Sequence, residues 1–90
     1  MSEYQKRQTY QIIESIKSYK VGQLTLNKLV LKLEALVAFN EMSDIRKAVG
    51  EKLAILEEIN AYLLEGGQNS EVITTKIESI LSEIETNVQF

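Results

Sequence analysis

The sequence predicts an all-α fold, a small antiparallel bundle of about four helices that forms a single domain over residues 1–90. The chain has no Pro and only four Gly, so little interrupts a helix from within. Leu, Ile, Glu, Lys and Ala are abundant, and several of them are strong helix formers. Apolar residues recur every three or four positions in four segments, which is the period of an amphipathic helix.

Glycines and small hydroxyl residues mark the breaks between the predicted helices. Gly22 and the pair Gly66-Gly67 suit the left-handed conformation that closes a helix. The first helix therefore spans about residues 3–19 and the second about residues 25–40. The third begins after Ser43, with Asp44 in its first turn, and the fourth begins after Ser70; the candidate N-caps are Thr25, Ser43 and Ser70.

The apolar faces of these helices differ in width. The fourth helix has an arc of roughly 100°, whereas the arc of the third covers roughly 200° and requires more than one neighbour. The second helix is also wide, so we place the second and third helices at the centre of the bundle. The predicted faces are Ile12, Ile16 and Tyr19; Leu26, Leu29, Val30, Leu33, Leu36 and Val37; Ala48, Val49, Leu53, Ile55, Leu56, Ile59, Tyr62, Leu63 and Leu64; and Ile73, Ile77, Ile80, Leu81, Ile84 and Val88.

The second helix carries an additional, weaker apolar strip, formed by Leu31, Ala35, Ala38 and Phe39. Because a helix with two neighbours needs two apolar faces, we expect this strip to pack on the first helix. The alternative is a homodimer surface.

The composition excludes several classes of function. Without His or Cys, the chain lacks the usual zinc ligands and any Cys or His nucleophile–base pair, so we predict no enzyme, no metal and no cofactor. A net charge of −3 argues against nucleic-acid binding. No apolar run is long enough for membrane insertion and the first residues do not resemble a signal peptide, so we expect a cytoplasmic protein.

Acidic residues form two rows with a seven-residue spacing, which keeps each row on one helical face. Residues 43–90 hold nine acidic and four basic residues, whereas residues 1–42 hold four acidic and six basic ones. In the third helix Lys47 can pair with Glu51, but Glu58 and Glu65 have no basic residue one turn away. The rows are Glu51, Glu58 and Glu65 in the third helix and Glu71, Glu78 and Glu85 in the fourth.

Two interpretations of these rows stay open. Glu is common on the solvated backs of helices, which is the simpler interpretation. The functional one is an electrostatic docking surface for a basic protein, with a Tyr as its aromatic anchor. The candidate partner-binding residues are Glu57, Glu58, Tyr62, Glu65, Glu78 and Glu85.

Two segments resemble a known group of proteins, "SYKVGQLTLNKLVLKLEALV" (Ser18 to Val37) and "LAILEEINAYLLEGG" (Leu53 to Gly67). Their order and spacing are similar to those of small acidic all-helical bacterial immunity proteins of toxin–immunity systems, including contact-dependent inhibition. The resemblance implies a non-enzymatic protein that binds and neutralises a cognate toxin domain, which would be basic if it acts on nucleic acid. The end "LLEGGQNSEVITTKIESIL" also resembles bacteriocin-type immunity proteins, and a self-associating helical adaptor is the remaining alternative.

Overall fold

A computed structural model describes residues 3–38 and 43–88, and the described chain forms four α-helices that measure 42 × 23 × 18 Å together. The predicted all-α bundle is therefore confirmed. The helices are α1 (Glu3–Lys20), α2 (Leu26–Ala38), α3 (Ser43–Leu64) and α4 (Glu71–Asn87).

Each helix packs on two others. The contact between α2 and α3 is the most extensive, followed by the contacts α3–α4 and α1–α2, and the contact between α1 and α4 is the smallest. Within the described residues the backbones of the diagonal pairs, α1–α3 and α2–α4, do not come close to each other. The predicted central position of the second and third helices is confirmed, because these two helices make the most contacts.

The core is a single apolar cluster with residues from every helix. It follows the predicted faces closely, since the apolar arc of each helix is turned toward its neighbours. Its buried members are Ile12 and Ile16; Leu29, Val30 and Leu33; Ile45, Val49, Leu53 and Leu56; and Ile77, Ile80, Leu81, Ile84 and Val88.

Two glycine turns stand at the same end of the bundle, one after α1 and one after α3. In the second, the N–H of Gly67 donates to the carbonyl of Tyr62 at 2.9 Å and the N–H of Gly66 to that of Leu63 at 3.2 Å. This pair of bonds is a Schellman motif, with Gly66 at a φ of +97°. The first turn repeats it, with Gly22 at +83°.

Two of the predicted N-caps are also confirmed. The Thr25 hydroxyl accepts a hydrogen bond from the N–H of Lys28 at 3.2 Å, and the Ser70 hydroxyl accepts one from the N–H of Ile73 at 3.3 Å. The third predicted N-cap is outside what the structure describes, because the side chains of Ser43 and Asp44 are not among the described ones. The same holds for Phe39, which belongs to residues 39–42.

Gly66→Ala is expected to lower the free energy of unfolding by about 1 kcal/mol, because an L side chain disfavours a positive φ. Gly50→Ala, inside α3, is the matched control. It has open space around its added methyl group and should stabilise the fold by about 0.5–1 kcal/mol. Urea denaturation followed by circular dichroism measures both changes, and equal stability of the Gly66→Ala variant and the parent would contradict the assigned turn.

Three parts of the predicted apolar faces are wrong, and the first is Tyr62, whose side chain is 50% exposed. Leu64 is 66% exposed, since it is the last residue of α3 and has no helix beside it. Leu31 is 57% exposed, and Ala35 and Ala38 are exposed as well. Leu31 and Ala38 therefore lie on the back of α2, because α1 packs nearer to Leu36 than to Leu31. Ala35 is exposed too, but it lines a groove between α1 and α2.

Buried hydroxyls on α1 were not predicted. Thr9 and Ser15 are buried, and their hydroxyls donate to the carbonyls of Gln5 and Gln11 at 2.9 and 2.7 Å. A hydroxyl that bonds to the carbonyl four residues back leaves no unsatisfied group, so these positions join the core at little cost.

Candidate protein-binding surface

An ion pair ties the exposed sides of α3 and α4 together. The ammonium of Lys52 lies 2.7 Å from a carboxylate oxygen of Glu83. Val72 stands about three helical turns before Glu83 on the same side of α4, and it is 77% exposed. The side of this helical hairpin that faces away from the core therefore carries an exposed apolar residue close to the turn.

Tyr62 is an exposed aromatic residue near the end of α3, before the turn into α4. Its ring lies against Gly67, so that a methyl group added at Gly67 would stand 2.5 Å from Cζ and 2.6 Å from Cδ1. The side chain is nevertheless 50% exposed. A ring that is held on one side by the turn and open on the other loses little conformational entropy when it is covered.

Glu58 and Glu65 flank this ring, since they stand four residues before and three residues after Tyr62 on the same helical face. Both are exposed, and neither forms an ion pair within residues 3–38 and 43–88. We call the set Glu51, Glu58, Tyr62, Glu65 and Val72 the α3–α4 outer surface. It combines an aromatic anchor with uncompensated negative charge, the features that suit a basic protein partner.

Gly67→Ala is expected to move the Tyr62 ring away from the turn, because the added methyl group would overlap it. The ring is half exposed and free to swing outward, so the loss of stability should stay below about 1 kcal/mol. Changed NMR shifts of the Tyr62 ring protons, with an unchanged circular dichroism spectrum, would verify the contact. Gly50→Ala is the control, and unchanged ring shifts in the Gly67→Ala variant would contradict the described packing.

The other predicted contacts lie elsewhere. Glu57 is exposed, but as the neighbour of Glu58 it points about 100° away around α3. Glu85 is on the opposite side of α4 from Glu83, where it forms an ion pair with Lys20 of α1. Glu78 lies on that same side, facing Tyr19. The structure thus brings together three of the six predicted residues, namely Glu58, Tyr62 and Glu65.

A cleft of about 640 Å³ separates the end of α1 from α4. Burial, followed by the negative charge of Glu78, raises the pKa of Tyr19 above its ordinary value. We call this feature the α1–α4 cleft; its lining residues are Tyr19, Lys20, Gly22, Leu24, Thr74, Glu78 and Ser82.

Among the residues that line this cleft, the sequence predicted a binding role only for Glu78. One available signal was the basic end of the first helix, Lys17 and Lys20, set against the acidic row of the fourth. The charges alone do not reveal that the first and fourth helices are neighbours, so they do not predict the cleft.

Glu78→Gln is expected to lower the pKa of Tyr19 toward its ordinary value, because a neutral amide no longer disfavours the phenolate. Burial of Tyr19 remains, so the pKa should stay raised. Tyr10 is an internal control, since a hydrogen bond and the charge of Glu14 raise its pKa. A pH titration of the tyrosine ring carbons by NMR resolves both groups, and an unmoved Tyr19 would contradict the proximity of Glu78.

Neither a metal site nor a membrane span is found in the described chain. Its His, Cys, Asp and Glu residues form no group of three or more that would hold a metal ion. None of its helices has both the length and the apolar character needed to cross a bilayer.

Comparison with protein-family models, with curated proteins and with solved structures finds no significant match to this chain. Its four-helix fold and its acidic, aromatic surface are therefore the basis on which a function is assigned.

Proposed function

We propose that this chain is a non-enzymatic immunity protein that binds and neutralises a cognate toxin domain. The observation that carries the proposal is the α3–α4 outer surface, where the Tyr62 ring lies against Gly67. Glu58 and Glu65 flank this ring, and their carboxylates form no ion pair with the part of the chain that the structure describes. The resemblance of residues 18–37 and 53–67 to immunity proteins supports the same class of function.

In the proposed mechanism, this chain covers the surface with which the toxin domain binds its substrate. A toxin domain that acts on nucleic acid needs a basic surface to bind the phosphate backbone. Carboxylates on the rigid α3–α4 hairpin compete for that surface, speed the encounter and orient the two proteins. Tyr62 then supplies apolar contact area that charge alone does not provide.

The decisive experiment starts from the neighbouring genes, because the proposal expects one of them to encode the cognate toxin domain. Induction of that domain in a susceptible bacterial host should stop growth, and coexpression of this chain should restore it. A toxin domain from an unrelated system is the control and should remain active. Growth arrest that persists despite coexpression, without a complex of the two purified proteins, would refute the proposal.

The second candidate is a self-associating adaptor, which the exposure of Leu31 favours. A homodimer through Leu31, Ala35 and Ala38 would cover the strip on the back of α2. Sedimentation velocity separates the two functions, because a dimer of this kind should dissociate when Leu31 is changed to Lys. A monomer at all concentrations would exclude the adaptor.

A further inference from the structure

We propose that the α1–α4 cleft accepts the side chain of one arginine from a protein ligand. This site is distinct from the α3–α4 outer surface, and the inference does not rest on the identity of a toxin. It is drawn from the shape of the cleft, its charge and the kinds of hydrogen-bonding groups in it.

The net charge of the cleft is that of a single carboxylate, Glu78. Lys20 and Glu85 bind each other, with the Glu85 side chain only 20% exposed, so their charges offset. Glu78 is exposed and has no ion pair with any described residue. A cation that enters the cleft therefore meets an acceptor that the fold leaves uncompensated.

The hydrogen-bonding groups favour a guanidinium over an ammonium. Thr74 and Ser82 stand one turn before and one turn after Glu78, so two hydroxyl oxygens border its carboxylate on the same side of α4. A guanidinium presents five N–H donors in a plane, enough for a carboxylate and adjacent hydroxyls together, whereas an ammonium is a compact point charge.

The opposite wall suits the rest of the arginine side chain. Tyr19 lines the cleft and is partly buried, and an aromatic ring at that position is a group on which a guanidinium stacks. Leu24 provides apolar surface for the methylene groups, and Gly22 has no side chain to obstruct the entrance. A volume of about 640 Å³ is ample for one such side chain.

The test is an NMR titration of the ¹⁵N-labelled chain with Nα-acetyl-arginine methylamide. Saturable shifts are expected at the amides of Gly22, Thr74, Glu78 and Ser82, with a Kd of about 1–10 mM, which is ordinary for one isolated side chain. The citrulline analogue, which has the same shape and no charge, should bind at least about tenfold more weakly. The lysine analogue should also bind more weakly.

Two variants locate the site. Glu78→Gln should weaken arginine binding about tenfold, whereas Glu71→Gln, on the same helix but outside the cleft, should leave it unchanged. The inference is overturned by the absence of saturable shifts, by citrulline or lysine binding as tightly as arginine, or by an undiminished affinity in the Glu78→Gln variant. Protection of a bacterial host from a toxin is measured in a separate experiment. A failure of arginine binding therefore does not refute the proposed immunity function, and a failure of protection does not refute the arginine site.

Discussion

The double variant Glu58→Lys, Glu65→Lys is expected to associate with a basic toxin domain at least about tenfold more slowly at low salt, and to lose protection in the host. The physical reason is that both carboxylates are exposed and have no ion pair with any described residue, so their reversal turns the approach to Tyr62 from attractive to repulsive. Stopped-flow association rates at several ionic strengths measure the effect. The rate of the parent should fall steeply with salt, and the rate of the variant should hardly change.

The control for this variant is Glu3→Lys, Glu34→Lys. Both substitutions are on exposed positions of α1 and α2, away from the α3–α4 outer surface. Each Glu→Lys change adds two positive units, so both double variants move the net charge from −3 to +1. If the two double variants slow association equally, net charge rather than this surface governs the encounter, and the proposed docking surface is wrong.

Asn60→Leu is expected to lower the free energy of unfolding by about 1–3 kcal/mol, the cost of a polar group that loses its hydrogen-bond partner at a packed interface. Asn60 is buried, and its side-chain amide donates to the Oδ1 of Asn27 at 2.8 Å, across the extensive contact between α2 and α3. Denaturation in urea measures the loss. Asn27 is partly exposed, so water that hydrogen-bonds to its Oδ1 in the variant would reduce the loss of stability.

The double variant Asn27→Leu, Asn60→Leu completes the cycle. Replacing both partners by apolar groups should recover most of the lost stability, so the two single changes are not additive. A buried polar pair also fixes the register of two packed helices. The double variant should therefore show broader NMR lines at the contact between α2 and α3. If its change in the free energy of unfolding equals the sum of the changes in the two single variants, Asn27 and Asn60 are not coupled.

The helices and their ends were predictable because the interactions that form them are between residues close in sequence. Gly66 ends α3 since a glycine tolerates the positive φ of the turn, and Ser70 begins α4 since its hydroxyl accepts from an N–H three residues on. The apolar period of α4 also gave its buried face correctly, from Ile77 to Val88. Each of these features depends on residues within one or two turns.

The candidate surface was predictable only in part. Glu58, Tyr62 and Glu65 share a face because they share a helix, and this follows from spacing alone. Glu78 and Glu85 were grouped with them on charge, but they face α1. A helical wheel gives the direction of a side chain relative to its own axis and contains nothing about which helix stands there.

The sequence by itself determined a four-helix bundle with a negatively charged second half, the positions of its turns and most of its core. Only the tertiary structure decided that Lys20 meets Glu85 and that a cleft opens beside Glu78. It also decided that Leu31 stays exposed, because α1 packs on a different side of α2. The physical reason is common to all three: helical periodicity is a property of neighbouring residues, whereas the arrangement of helices results from the packing of all their faces at once.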